Sequence, residues 1–365
     1  MKNQPDEKLE GEKDAPTARP ESEPIMKAAI RLVVGGEDLT FDQCESVMNE
    51  IMAGKATPAQ IAAFLTALHV KGETAEEISA CATVMRRYAT RISPDVEGEL
   101  LDTCGTGGDG LHTFNVSTVS ALVAAAAGVP VAKHGNRAMS SSCGSADLFE
   151  ALGVNLDAPP EVVKRCIETV GIGFLFAPKF HPAMRFASPV RREVGIPTVF
   201  NVLGPLTNPA GASTHLLGAR NLELAKLMAD VLHRLGMKRA FVAHGHGGID
   251  EVSISGPTSL YEVTPAGVES FTVSPGDFGL PLAKLDEVVC RGKDLSVEAA
   301  VQVLENRASA AKRNLVLMNA GLAIAAGTGR TPEEGVELAK QVLEEGRAVE
   351  TLKNFVVASG GTPRV

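Results

Sequence analysis

The sequence predicts an α/β protein, with a small helical N-terminal domain followed by a larger domain whose mostly parallel central sheet is flanked by helices. Three observations carry that expectation. Capping boxes recur between residues 40 and 77, short apolar runs alternate with helical periodicity after Pro94, and glycines punctuate the boundaries. The 365 residues suffice for one large domain or two. A content of 44% hydrophobic and 22% charged residues is that of an ordinary globular chain.

Residues 1–24 are rich in Glu, Asp, Lys and Pro, with Leu9 the only large aliphatic after Met1. Such a tail buries too little to offset its ordering entropy and is expected to be disordered. Residues 25–95 read as the helical domain. Thr40-Phe41-Asp42-Gln43, Thr57-Pro58-Ala59-Gln60 and Thr74-Ala75-Glu76-Glu77 each place a hydroxyl at an N-cap and a reciprocal Gln or Glu three residues on. Phe41, Cys44, Val47, Met48 and Ile51 recur at helical spacing, as do Ile61, Phe64, Leu65 and Leu68. Gly54 and Gly72 stand where helices should stop.

The larger domain covers 96–182 and 210–365. Residues 100–103 read as a strand, a glycine loop follows, a helix runs from about Thr118 to Ala127, and Val129 to Ala132 form the next strand. That is a βαβ unit. Gly173–Phe176, Leu216–Leu217 and Arg239–Ala243 continue the strands, with a helix from about Leu222 to Leu235 before the last. Residues 183–209, dense in Pro and Arg, are expected to cross back to the helical domain. From 297 onward the chain reads as mainly helical, opened in part by a capping box at Thr331.

The formal charge of −9 argues against a nucleic-acid partner. The six cysteines form no CxxC pair, which suggests reduced thiols rather than zinc or disulfides. The longest near-apolar run, Val119 to Ala132, is too short and too interrupted to cross a bilayer, so a cytoplasmic protein is expected.

Gly105-Thr106-Gly107-Gly108-Asp109-Gly110 satisfies G-x-G-x-x-G between a strand and a helix, but no acid follows about 20 residues later, as a dinucleotide site would need. Lys133-His134 stand there instead, which weakens NAD and leaves NADP open. No GK[ST] occurs. The loop does offer backbone N–H groups to an anion, and Asn115-Val116-Ser117-Thr118 opens the helix behind it. A plain turn would need about two glycines. Asp109 suits a ligand that also carries hydroxyls or a metal. The second strand ends in Lys133-His134-Gly135-Asn136-Arg137 before Ser140, Ser141, Ser142 and Ser145. Cations and hydroxyls at a strand's carboxyl end suit a phosphate-rich ligand. Asp250-Glu251, after Gly245-His246-Gly247-Gly248, is either a surface acidic pair or a Mg²⁺ site.

These blocks, with His181-Pro182-Ala183-Met184, Pro189-Val190-Arg191-Arg192 and Asn201-Val202-Leu203-Gly204-Pro205-Leu206-Thr207-Asn208-Pro209, resemble the signature segments of anthranilate phosphoribosyltransferases. The similarity runs from about residue 25 onward. It implies the fold shared with nucleoside phosphorylases, a homodimer through the helical domain, and transfer from phosphoribosyl pyrophosphate (PRPP) to anthranilate in tryptophan biosynthesis. It implies PRPP contacts at Gly105, Gly108, Asp109, Thr113, Asn115, Val116, Ser117, Thr118, Lys133, His134, Gly135, Asn136, Arg137, Ala138, Met139, Ser140, Ser141 and Ser145. Anthranilate would meet Gly105, Asn136, His181, Met184 and Arg191, and Mg²⁺ would sit on Ser117, Asp250 and Glu251. No acid–base residue is implied; Lys133 and Arg137 would support the departing diphosphate. Cys143 departs from the pattern, standing where polar residues are usual. A nucleoside phosphorylase would carry Ser-Thr-Gly-Gly after Lys-His, which is absent. A nucleic-acid-binding relative would show a basic surface and lost Mg²⁺ ligands.

Overall fold

The computed structural model describes residues 24–138 and 143–364, so the tail expected over 1–24 (save Pro24) and the ligand contacts expected at Met139, Ser140 and Ser141 lie outside the described residues. The helical domain comprises α1 (Ile25–Val34), α2 (Phe41–Met52), α3 (Pro58–Lys71) and α4 (Ala75–Tyr88). All three expected capping boxes form. Side-chain caps of this kind contribute about 1 kcal/mol each, and here they also fix where each helix starts. The third does more than cap. Glu77 is fully buried and accepts hydrogen bonds from Thr74 N (2.8 Å), Leu39 N (2.9 Å) and Lys71 Nζ (3.0 Å), tying α4 to the end of α3 and to the segment that leads into α2.

Strands β1 (Leu101–Gly105), β2 (Val131–Gly135), β3 (Ile172–Phe176), β4 (Thr214–Gly218), β5 (Arg239–Gly245), β6 (Thr258–Thr264) and β7 (Gly267–Val273) form one seven-stranded sheet in the order β3-β2-β1-β4-β5-β6-β7. The first five are parallel, and β6 and β7 add an antiparallel hairpin at the edge. That hairpin is not among the expected elements. The chain runs outward from β1 to β2 and β3, then returns to place β4 on the other side of β1. The carboxyl ends of β1 and β4 therefore flank a topological switch point, where open α/β sheets bind ligands.

One face of the sheet is covered by α5 (Val116–Ala126) and by the C-terminal helices Ala310–Thr328, Pro332–Glu344 and Arg347–Ala358. The other is covered by Leu222–Arg234 and the helical domain, whose core joins α1–α4 to Leu217, Val242 and Val263 of the sheet. Ala187, Val190, Val199, Phe200, Leu203 and Leu206 are buried in that same cluster. One expected strand shifts along the chain. The strand read at Val129 to Ala132 is Val131–Gly135, which puts Lys133 and His134 inside the sheet, 1% and 6% exposed. No described helix is long and apolar enough to cross a membrane.

Candidate active site

Strands β1, β2, β4 and β5 all end in glycine: Gly105, Gly135, Gly218 and Gly245. Each is needed for space. A Cβ on Gly218 would coincide with the Asp250 carbonyl, one on Gly105 would meet the Asp250 carboxylate, and one on Gly245 would meet the Glu251 backbone. On Gly135 it would strike the Ser145 hydroxyl at the start of α6 (Ser145–Leu152). Bare backbone along the carboxyl edge thus lets the Asp250-Glu251 turn lie across β4 and reach the glycine loop. Within that loop Gly107, Gly108 and Gly110 have φ of +69°, +81° and +72°. With Gly105 required for close approach, all four glycines have a reason, more than a plain turn demands.

The segments expected to share a site do converge. Gly107 N donates to Asp250 Oδ2 (2.8 Å), and Lys133 Nζ donates to Thr103 O (2.6 Å) and lies 3.5 Å from Ser117 Oγ. The Ser117 amide points at the Glu251 carboxylate. Asn115 does not cap α5. Its amide bridges Cys143 O (2.8 Å) and the Ser296 hydroxyl (2.8 Å), which leaves the first turn of α5 facing the loop. Thr113 pairs with Val289 in an isolated bridge, and Val116 and Thr118 are buried in the first turn of α5.

Three carboxylates crowd this edge. Burial, then the neighbouring Asp109, pushes Asp250 up to about 7, and burial followed by Asp250 raises Glu251 well above the carboxylate range. Asp109 Oδ1 accepts from Leu111 N (3.1 Å), whereas its Oδ2 is buried with no donor. Carboxylates crowded together beside a serine hydroxyl, Glu251 buried and the other two half-buried, form an all-oxygen set with unused lone pairs. Those donors fit a hard divalent cation such as Mg²⁺.

The expected cations differ in character. Burial lowers the pKa of Lys133, while Asp102 and Glu251 oppose that shift. His134 is held neutral by burial, so it is no cation at neutral pH. Arg137 is half-exposed and gives its guanidinium to Glu150 (2.8 Å) and Asp147 (3.1 Å), both on α6. The expected cation at the strand end is thus paired with acids of α6. Asp147 also accepts from Ala138 N (2.9 Å) and Gly144 N (3.0 Å), closing the turn that carries Asn136.

Among the residues expected to meet the acceptor, His181 has its Nε2 3.2 Å from His134 Nε2, and Gly204 O is 3.0 Å from His134 Nδ1. Met184 packs on the helical-domain core. Arg191 sits on the helix Ser188–Val194, hydrogen-bonds Asn201 Oδ1 (3.3 Å) and lies 5.2 Å over the Phe200 ring. It hydrogen-bonds neither Asn136 nor His181. Burial lowers its pKa, so the guanidinium is partly desolvated, and among the described residues no carboxylate pairs with it.

Several positioning residues are given no role by the sequence, Asp102 and Cys104 although they open the signature block Asp102-Thr103-Cys104-Gly105. Asp102 is fully buried and accepts from His134 N (3.1 Å) and Asn208 Nδ2 (2.8 Å), fixing β2 against β1. Arg220 lies against Gly108. Cys104 and His215 come within 3.3 Å beside Asp102, although no CxxC spacing announces them. Asp102 is the signal that could have been read, as a carboxylate inside an otherwise apolar strand.

His215 gives a testable pH dependence. Burial lowers its pKa to about 4, whereas the unfolded chain would titrate near its ordinary 6.5. A histidine with a depressed folded pKa favours folding above 6.5, and that advantage is lost as pH falls toward 4. Relative to His215→Gln, the native protein should lose about 2 kcal/mol of unfolding free energy between pH 8 and pH 5. Urea melts of both proteins across that range check it; parallel profiles would mean His215 is solvated.

Two family models match the chain. The Glycosyl transferase family helical bundle domain matches residues 27–89, and the Glycosyl transferase family a/b domain matches residues 97–349. The class defined by fold and site is therefore a two-domain glycosyltransferase. An anthranilate phosphoribosyltransferase of Chloroflexus aggregans is 51% identical over 340 residues, covering 92% of this chain and 99% of the relative. The crystal structure of the Thermus thermophilus anthranilate phosphoribosyltransferase superposes with a TM-score of 0.85 at 44% identity, over 91% of this chain and 99% of that one. The Saccharomyces cerevisiae enzyme, in complex with PRPP and Mg, gives 0.84 at 28% identity over 93% and 99%. The chain belongs to the anthranilate phosphoribosyltransferase family.

Proposed function

We propose that this chain transfers the phosphoribosyl group of PRPP to the amine of anthranilate, releasing pyrophosphate, at the edge where β1, β2 and β4 end. The observation that carries this reading is the junction of glycine loop, Lys133 and Asp250-Glu251 at the switch point. Breaking the bond at C1′ builds oxocarbenium character on ribose and negative charge on diphosphate. The glycine-loop amides, the first turn of α5 and Lys133 lie where that charge would collect. Arg137 would join them only by leaving Glu150. Ser117, Asp250 and Glu251 would hold Mg²⁺, which supplies charge neutralisation to the leaving group. The yeast relative's complex with PRPP and Mg supports both substrate and ion.

Anthranilate brings an uncharged aromatic amine and a carboxylate, so it needs an orienting cation more than a base. Arg191, held by Asn201 and Phe200, offers that cation, and neutral His134 and His181 add no charge to repel or protonate the amine. The yeast relative's complex with 4-fluoroanthranilate supports an aromatic acceptor of this kind. Positioning the amine against C1′ supplies much of the remaining acceleration. With purified protein, PRPP and Mg²⁺, anthranilate fluorescence should decay; turnover of thymidine with phosphate instead would overturn the reading.

Arg191→Ala should raise the anthranilate KM roughly 10- to 100-fold, the range for losing a charge-assisted hydrogen bond. The KM for PRPP should change little. Equal effects on both substrates in steady-state kinetics would remove Arg191 from the acceptor site. The enzyme acts in the cytoplasm, as a homodimer through the helical domain; exposed Ile25, Val34 and Val70 on α1 and α3 support the dimer.

A further inference from the structure

We infer that the molecule carries a second oxyanion site, remote from the active site, which takes the phosphate group of a small molecule. Where the helical domain meets the helix Leu222–Arg234, a cavity of about 580 Å³ opens, lined by Arg86, Arg87, Arg91 and Arg234 together with Ser79 and Thr83. It shares no residue with the active site. The four guanidinium groups come from three stretches of chain: α4, the segment that leaves it, and the far end of Leu222–Arg234.

Such a gathering is unexpected in a protein of net charge −9 and costs mutual repulsion unless an anion answers it. Among the described residues only Arg87 has an acid, Glu45 at 2.6 Å on an exposed flank. Among the described residues, Arg86, Arg91 and Arg234 form no ion pair. Arg86 is half-buried and uses its Nε on Leu206 O (2.7 Å), which leaves both terminal nitrogens for a ligand. Burial and the facing Arg91 both disfavour its charge, the condition that a bound anion relieves. The hydroxyl protons are already committed, Ser79 to Ala75 O and Thr83 to Ser79 O, so recognition rests on the arginines.

Planar guanidinium forks match phosphate oxygens two at a time. The volume leaves room for a phosphate and the group that carries it, within the range of small-molecule sites. A concave pocket in a chain of net charge −9 suits a small ligand and not a polyanion. Because Arg86 and Arg91 belong to the helical side and Arg234 to the α/β side, the bound anion ties the two domains together.

Isothermal titration of the full chain with inorganic phosphate and with ribose 5-phosphate, without Mg²⁺, tests this. Wild type, Lys133→Met and Arg91→Gln/Arg234→Gln are compared, and the two ligands distinguish a free anion from a phosphate ester. Binding should persist in Lys133→Met and weaken at least about tenfold in the double arginine variant, the loss expected for two charge-assisted contacts. Both altered arginines are exposed, and the variant should keep wild-type turnover in phosphate-free buffer. Arg91→Lys, which keeps the charge, should retain partial binding. Phosphate binding unchanged in the double variant, or abolished by Lys133→Met alone, would overturn the inference.

Discussion

Gly218→Ala is expected to lower turnover roughly a hundredfold or more while the protein still folds, since angstrom-scale misplacement of site groups has that effect. The added methyl would stand where the Asp250 carbonyl now lies. Strand β4 cannot yield, because it is paired on both sides, Gly218 with Gly105 of β1 and with Ala243 of β5. The Asp250-Glu251 turn must move instead, taking its carboxylates away from Ser117 and the glycine loop. Gly218 is not in the left-handed region, so alanine can adopt its backbone and secondary structure should survive. Gly204→Ala is the control, since a Cβ there meets nothing within 4 Å. Steady-state kinetics with Mg²⁺ titration and far-ultraviolet circular dichroism read the outcome. Normal turnover in Gly218→Ala would show that the acidic turn does not have to lie over β4.

How much of this is legible in the sequence depends on the distance between interacting residues. The helical domain reads out almost completely, because a capping box is complete within four residues: Thr40 and Gln43, Thr57 and Gln60, Thr74 and Glu77. The glycine loop and the Lys-His-Gly-Asn-Arg turn are legible as anion-binding chemistry through backbone and charge. Their meeting with Asp250 is not, because Gly107 and Asp250 are 143 positions apart and only the sheet order joins them. The Arg137–Glu150 pair is hidden for a related reason: the reversal between β2 and α6 folds two nearby segments onto each other. The β6–β7 hairpin leaves a weak signal. Leu260 and Phe271 face one side of the sheet and Val263 and Val268 the other, around the turn at Pro265-Ala266, but exposed Glu269, Ser270 and Thr272 on both faces of β7 break the alternation.

Asp250→Asn/Glu251→Gln should separate stability from activity in opposite directions. Glu251 is buried and Asp250 half-buried; burial and Asp109 raise the pKa of both, and Asp250 adds to the rise at Glu251. Charged or partly protonated, the group costs stability in the free protein. Neutral amides of the same shape remove that repulsion, and the Asp250→Asn oxygen can still accept from Gly107 N. The melting temperature of the doubly substituted, metal-free protein is therefore expected to rise by a few degrees. Turnover should fall at least about a hundredfold, as for loss of a preorganised charge-stabilising group, and added Mg²⁺ should no longer raise the melting temperature. Wild type should show the reverse: a lower metal-free melting temperature and a clear gain with Mg²⁺. This is the trade a binding site makes when it holds like charges together for an ion that answers them. A fall in melting temperature with the Mg²⁺ response intact would mean the two carboxylates serve the fold, and that the cation is held elsewhere.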